Sequence, residues 1–325
     1  MELVLNTYGT SLQVEDGLFL VVSKDGKQTI DPSTIKSIQI NKGAKISSDA
    51  ALLAIAHEID VLFVDGTGKP GGRLWSIKYG SISEIRRAQL EFLYSPRAVK
   101  WVKSILRSKI DNQIGLLLSF EVETNEQRQS LEVSLNRLRD YQTKIQSIDA
   151  PFVNDIAPSL RGWEGAASRT YFNTLNLFLP VEYKFKERSQ HPATDVFNCL
   201  LNYAYGMLYG KVEGALIKAG IDPYAGIFHR DDFNRPALVY DVIELYRVWA
   251  DYVVMSLCCQ KVIDADCYSV KNDGSYWLEN MGKRILIQSM NDYLSEVINI
   301  KGISRSRLNH IELQAHNLAQ MLLKG

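Results

Sequence analysis

The chain has 325 residues, 46% of them hydrophobic, which is enough to build one large or two ordinary domains. Its 37 basic residues balance 37 acidic ones, which excludes a protein wrapped in a general positive field, so nucleic-acid binding must rest on local patches. No run reaches the roughly 18 apolar residues of a membrane span and Met1-Glu2-Leu3 opens no signal peptide, so a soluble cytoplasmic protein without membrane association is expected.

Residues 1–82 carry short β-type runs separated by turns. Leu3-Val4-Leu5 and the runs 18–22 and 35–40 have strand character, with Glu15-Asp16-Gly17 and Lys24-Asp25-Gly26 as turn signals. Ser47-Ser48-Asp49 caps a helix reaching about Glu58, with Ala51, Leu52, Ile55 and Ala56 at helical spacing. The run 61–64 reads as a buried strand that stops at Asp65-Gly66-Thr67-Gly68. One more strand, 73–77, follows Gly71-Gly72. From about Ser83 the period changes to 3.6, and helices are predicted over 85–93, 96–118 and 127–148. Pro151 and Pro158 punctuate before a helix that starts near Trp163 and passes Phe172. Further helices are predicted over 195–209, 236–260, 282–298 and 305–323. The expected fold is α+β: a small β-rich domain with one helix over 1–82, then a larger all-α domain over 83–325.

The stretch from Phe228-His229 to Glu244, read with Trp163-Glu164-Gly165, holds the residues suited to chemistry. Asp241 and Glu244 are i and i+3 on a predicted helix, so both carboxylates project from one face. One imidazole with two or three carboxylates suits a hard divalent cation such as Mg²⁺ or Mn²⁺, whose remaining ligands are commonly substrate phosphates. A plainer reading stands beside it: Glu244 and Arg247, also i and i+3, make an ordinary surface pair worth tenths of a kcal/mol. Glu164 lies among Gly162, Gly165, Ala166 and Ala167, small neighbours that suit either ligand approach or helix packing. Once buried it needs a cation, and Arg161 and Arg169 are the partners in reach.

Basic residues gather locally. Arg97, Lys100, Lys103 and Arg107 share one helix face, with Lys109 nearby and no acid within 96–110. Such a face is either solvated or a track for phosphates. Arg169, Arg188, Tyr203 and Tyr205 are further candidate DNA contacts, the tyrosines by stacking on bases. The chain lacks GxxxxGK[ST], GxSxG, HExxH and CxxC, which argues against P-loop nucleotide chemistry, serine hydrolysis and a zinc site. Cys199, Cys258, Cys259 and Cys267 read as reduced packing thiols.

Three segments together resemble the CRISPR-associated adaptation integrase/endonuclease family. They are Gly162-Trp163-Glu164 through Phe172, Arg188 through Gly206 with Asp195, Asn198 and Asn202-Tyr203-Ala204-Tyr205, and Gly226 through Arg247 with His229, Asp241 and Glu244. Their order and spacing are family-like, and the resemblance covers essentially the whole chain. The middle segment departs slightly, with Pro192-Ala193 and Val196 where the family often carries prolines.

The resemblance implies a catalytic metal, Mg²⁺ or Mn²⁺, held by Glu164, His229 and Glu244, with Asp241 as a supporting or additional ligand. It implies transesterification, in which the 3′-hydroxyl of a short foreign DNA fragment attacks a phosphodiester at the end of a CRISPR repeat. One phosphodiester replaces another, so no ATP is required. A histidine that binds metal must be neutral, so activity should fall in acid; a general-base role for His229 stays open. The implied assembly is a homodimer through the N-terminal domain. Two dimers flank a small ferredoxin-like adaptation partner in a heterohexamer on double-stranded DNA. The competing readings are a metal-dependent nuclease of repair or branched DNA, and a non-catalytic DNA-binding scaffold.

Overall fold

The structure, a computed structural model, describes all residues except 36, 66–69, 75–81, 191, 230–234 and 325. The Gly66-Thr67-Gly68 turn, the end of the strand expected over 73–77, His191 and the 230–234 part of the histidine loop therefore lie outside the described residues. The chain divides into two compact units, Met1–Ser81 and Ile82–Gly325.

The first unit contains β1 (Glu2–Leu5), β2 (Ser11–Glu15), β3 (Leu18–Ser23), β4 (Gly26–Ile30), β5 (Ser37–Asn41), β6 (Lys45–Ile46), α1 (Ser48–Ala56), β7 (Asp60–Val64) and β8 (Pro70–Leu74). They make two four-stranded sheets, ordered β1-β5-β7-β8 and β4-β3-β2-β6. In β5 the side chains of Ile38 and Ile40 are buried while Ser37, Gln39 and Asn41 are not, the period of two that a half-buried strand requires. The β2–β3 turn places Asp16 and Gly17 at φ 49° and 76°, the left-handed pair that matches the twist of a tight hairpin. Ser47 caps α1 by accepting the Ala50 N–H at 3.1 Å. β2 and β4 are additional to the strands read from the sequence. Their residues are mostly polar, and one side chain in each, Leu12 and Ile30, is buried.

The second unit is mainly helical: α2 (Ile82–Leu93), α3 (Pro96–Leu118), α4 (Asn125–Ser147), α5 (Val153–Leu175), α6 (Val196–Lys218), α7 (Ala237–Ile243), α8 (Arg247–Cys259), α9 (Asn280–Ser295) and α10 (Arg307–Leu323). It also carries two short antiparallel ladders that the helical period did not announce. They pair β9 (Tyr268–Val270) with β10 (Tyr276–Leu278), and β11 (Val297–Ile300) with β12 (Ile303–Ser306). One apolar cluster, including Leu106, Leu138, Leu160, Phe197, Leu238 and Val254, joins the helices.

Two differences from the expected elements bear on the site. Helix α5 begins at Val153, ahead of Pro158, so the proline sits inside the helix. It forfeits one backbone hydrogen bond, which burial of Val153, Ile156, Ala157 and Leu160 offsets. The helix expected over 236–260 is two helices, α7 and α8, with Glu244, Leu245 and Tyr246 between them.

Candidate metal centre

Three elements of the helical unit bring charge to one point. Lys109 comes from α3, Glu164 from α5, and Glu244 from the residue that ends α7. The Lys109 ammonium pairs with Glu164 Oε1, and its Nζ lies 2.6 Å from Glu244 Oε2. The other oxygen of Glu244, Oε1, accepts from Arg247 Nε at 2.8 Å. The Glu244–Arg247 contact is therefore a buried pair and not the surface pair its spacing allowed, since the Glu244 side chain is 6% exposed. Glu244 Oε2 is enclosed, and Lys109 Nζ at 2.6 Å is the charge that faces it. It is the oxygen of this carboxylate that faces the Lys109 ammonium and not Arg247.

The charges set one another. Burial pushes the Glu244 carboxyl up, but Arg247 and Lys109 outweigh it and hold it down at about 2. Burial pushes Lys109 down, but Glu244 and Glu164 outweigh it and keep the ammonium above its ordinary range. The cation beside Glu164 is thus Lys109, and neither Arg161 nor Arg169, the two partners its sequence neighbourhood offered. Arg161 instead donates to the Phe228 carbonyl at 3.1 Å and lies over the Phe228 ring, which ties α5 to the histidine loop. Arg169 is exposed.

Asp241 organises that loop. Its Oδ2 accepts the N–H groups of Ile227 (2.7 Å) and Phe228 (3.0 Å), and its Oδ1 accepts the N–H of His229 (2.9 Å). The His229 ring contributes Nδ1, 2.7 Å from the same Oδ1. A carboxylate already receiving backbone N–H groups acts as acceptor here, so Nδ1 carries the hydrogen of this contact and Nε2 is the ring nitrogen left for a ligand. Nε2 meets no hydrogen-bond partner among the described residues, and the side chain is 37% exposed. Both Asp241 oxygens accept hydrogen bonds from the loop, so this residue orients the histidine. Gly226 permits the tight path: a Cβ there would lie 2.3 Å from the His229 carbonyl oxygen.

The structure thus gathers Glu164 with Glu244, and His229 with Asp241. Among the described residues it draws no three His, Cys, Asp or Glu side chains into a closed metal cluster, because the carboxylate pair closes on Lys109. The donor set still suits a hard cation. Two carboxylates already converge on a positive charge, and His229 Nε2 has no partner among the described residues. Around Gly162 and Gly165 nothing lies within 4 Å of where a Cβ would be, so these small residues leave open space beside Glu164.

The basic face of α3 is largely committed to the fold. Arg97 donates to the Met321 carbonyl at 2.5 Å, Lys103 to the Ile148 carbonyl at 2.7 Å, and Arg107 faces Asp111 at 3.6 Å. Lys100 alone of the four is exposed with no partner among the described residues. Arg188 lies over the rings of Phe172 and Tyr205 and donates to Asn198 and Asn202. The Tyr205 hydroxyl donates to Asp251 at 2.6 Å, and Tyr203 is half-buried. Lys109 and Asp251 are the residues the motif reading missed. Lys109 had a signal: it falls on the apolar stripe of α3 with Val102 and Leu106, where a charge needs a partner.

The sequence profile described as "CRISPR associated protein Cas1" matches residues 3–292. The CRISPR-associated endonuclease Cas1 1 of Archaeoglobus fulgidus is 30% identical, over 99% of this chain and 96% of its own length. Two solved structures share the fold at lower identity. A casposase bound to integration product superposes with a TM-score of 0.83 at 19% identity, covering 99% of this chain and 90% of its own. A chain of a Cas6-RT-Cas1–Cas2 complex gives 0.81 at 24% identity, covering all of this chain, which spans 35% of that longer one. With the profile matched over most of its length and a full-length relative at this identity, the chain belongs to the CRISPR-associated Cas1 family.

Proposed function

We propose that this protein is a metal-dependent DNA integrase and endonuclease of CRISPR adaptation, which joins the 3′-hydroxyl of a short DNA fragment to a phosphodiester at a repeat end. The observation that carries the reading is the convergence of Glu164 and Glu244 on one cation position; His229, oriented by Asp241, is the third ligand of the proposal. Glu164, Glu244 and His229 Nε2 would hold Mg²⁺ or Mn²⁺, which supplies polarisation of the target phosphate and eases ionisation of the attacking hydroxyl. Arg247 holds Glu244 Oε1, so that Oε2 is presented to the cation. The other guanidinium nitrogens of Arg247, which lies over the Tyr205 ring, would meet a phosphate of the substrate. The open space beside Gly162 and Gly165 admits a strand close to Glu164.

The names of relatives support the same class. The Archaeoglobus relative is an endonuclease, the casposase structure holds an integration product, and a Cas1 chain of similar fold assembles with Cas2. For this chain we infer a homodimer through residues 1–82 and a small ferredoxin-like partner, giving a heterohexamer on double-stranded DNA.

The test is strand joining. A labelled fragment, a supercoiled plasmid carrying a repeat, and Mg²⁺ or Mn²⁺ should give joined product. Glu164→Ala, His229→Ala and Glu244→Ala should each abolish it while DNA affinity persists. Cut plasmid without joined strands would favour the hydrolytic reading that the endonuclease names suggest. Joining that survives all three substitutions would reject the site.

A further inference from the structure

Among the described residues, Lys109 is the charged residue of the centre to which the proposed reaction assigns no work. Its side chain is 7% exposed and reaches from α3 into the gap between α5 and the end of α7. Its partners there are the two carboxylates, Glu164 Oε1 and Glu244 Oε2. A buried ammonium stays charged only while such partners face it, and the two carboxylates stay close only while a cation separates them.

We propose that Lys109 is a built-in competitor for the divalent ion: its ammonium holds the Glu164–Glu244 pair in the metal-free protein, and a metal reaches that pair only by displacing it. The inference rests on the metal-dependent reading given above. Competition follows from position: the ammonium contacts Glu164 Oε1 and Glu244 Oε2 together, which is the place a metal shared by the two carboxylates would take, while Arg247 holds Glu244 Oε1. Nζ stands 2.6 Å from that oxygen, inside the space a hard cation and its remaining ligands fill. Two cations against one shared oxygen also repel each other strongly where water is excluded. The arrangement keeps the carboxylates collected before metal arrives, at the cost of weaker metal binding, because the competent state is only a fraction of the population.

The experiment titrates Mn²⁺ into the full chain and its Lys109→Met and Lys109→Gln variants, reading free Mn²⁺ by electron paramagnetic resonance and stability by thermal unfolding. Both variants should unfold at lower temperature without metal. Both should bind Mn²⁺ roughly tenfold or more tightly than wild type, and both should gain more in unfolding temperature from saturating Mn²⁺. A variant that folds only with Mn²⁺ supports the proposal, since the ion then replaces the ammonium. Equal or weaker Mn²⁺ affinity in both variants, or unfolding that Mn²⁺ does not relieve, overturns it. No Mn²⁺ binding by wild type or either variant rejects the metal reading itself. Binding by wild type that the variants leave unchanged rejects only the role of Lys109.

Discussion

Asp251 lies buried on α8 and accepts one hydrogen bond on each oxygen, from Tyr171 at 2.7 Å and Tyr205 at 2.6 Å. Burial pushes its carboxyl from the usual 3.8 up to about 6, against the pull of Tyr205, Tyr171 and Arg188. The folded state therefore holds this proton more tightly than the unfolded state does. The stabilisation is fully present below pH 3.8 and is lost as pH rises through about 6. Wild type should gain about 1.4 kcal/mol over Asp251→Asn between about pH 7.5 and pH 5 in urea unfolding. Parallel pH profiles for the two proteins would show that the tyrosines and arginines keep the carboxylate ionised. No neighbouring residue in the sequence signals this site, because the tyrosines come from α5 and α6. Lys109 differs, since a lysine on an apolar stripe is visible in the sequence even though its partners are not.

At the scale of elements, the end of α7 carries two acids with different partners. Asp241 meets the histidine loop, while Glu244, still helical at φ −57° and ψ −27°, meets Lys109 and Arg247. The helix breaks only after Glu244, between α7 and α8. Helix α3 secures the break, because Asn112 donates to the Leu245 carbonyl at 2.9 Å, one turn beyond Lys109. No Gly or Pro marks residues 244–246, so the break had no local signal. The loop on the other side of the site depends on Gly226. A Cβ there would lie 2.3 Å from the His229 carbonyl oxygen and 2.5 Å from Ala237 Cβ. Gly226→Ala should cost about 1–3 kcal/mol in unfolding free energy and should weaken Mn²⁺ binding by moving His229. Unchanged Mn²⁺ affinity in a destabilised Gly226→Ala protein would show that this loop does not place a ligand.

At the scale of the whole molecule, zero net charge means that affinity for DNA has to come from a few positions. The structure narrows them. Arg97 and Lys103 are tied to backbone carbonyls, whereas Lys100 and Arg169 are exposed with no partner among the described residues. Charge reversal at Lys100 and Arg169 together should lower DNA affinity and reduce the slope of log K against log salt by about two. Reversal at Arg97 and Lys103 should show first as lost stability, since each leaves a carbonyl unmet. Fluorescence anisotropy over a salt series separates the cases, and an unchanged slope after reversing Lys100 and Arg169 would remove both from the DNA surface. Among the described residues no helix is long and apolar enough to cross a membrane.

The local period of the chain determined the helices over 96–118 and at Ser47, and the change from strand-like to helical texture near Ser83, because alternation, caps and breakers act over a few neighbours. Residue type and order also singled out Glu164, His229, Asp241 and Glu244 as candidates for the chemistry. What each does depended on tertiary structure. Glu164 and Glu244 meet through a lysine 55 residues before the first of them, and Asp241 spends both oxygens on a loop. Charges that far apart in sequence acquire their environment only when packing removes water and leaves each a few fixed partners, and no local pattern encodes which partners those are.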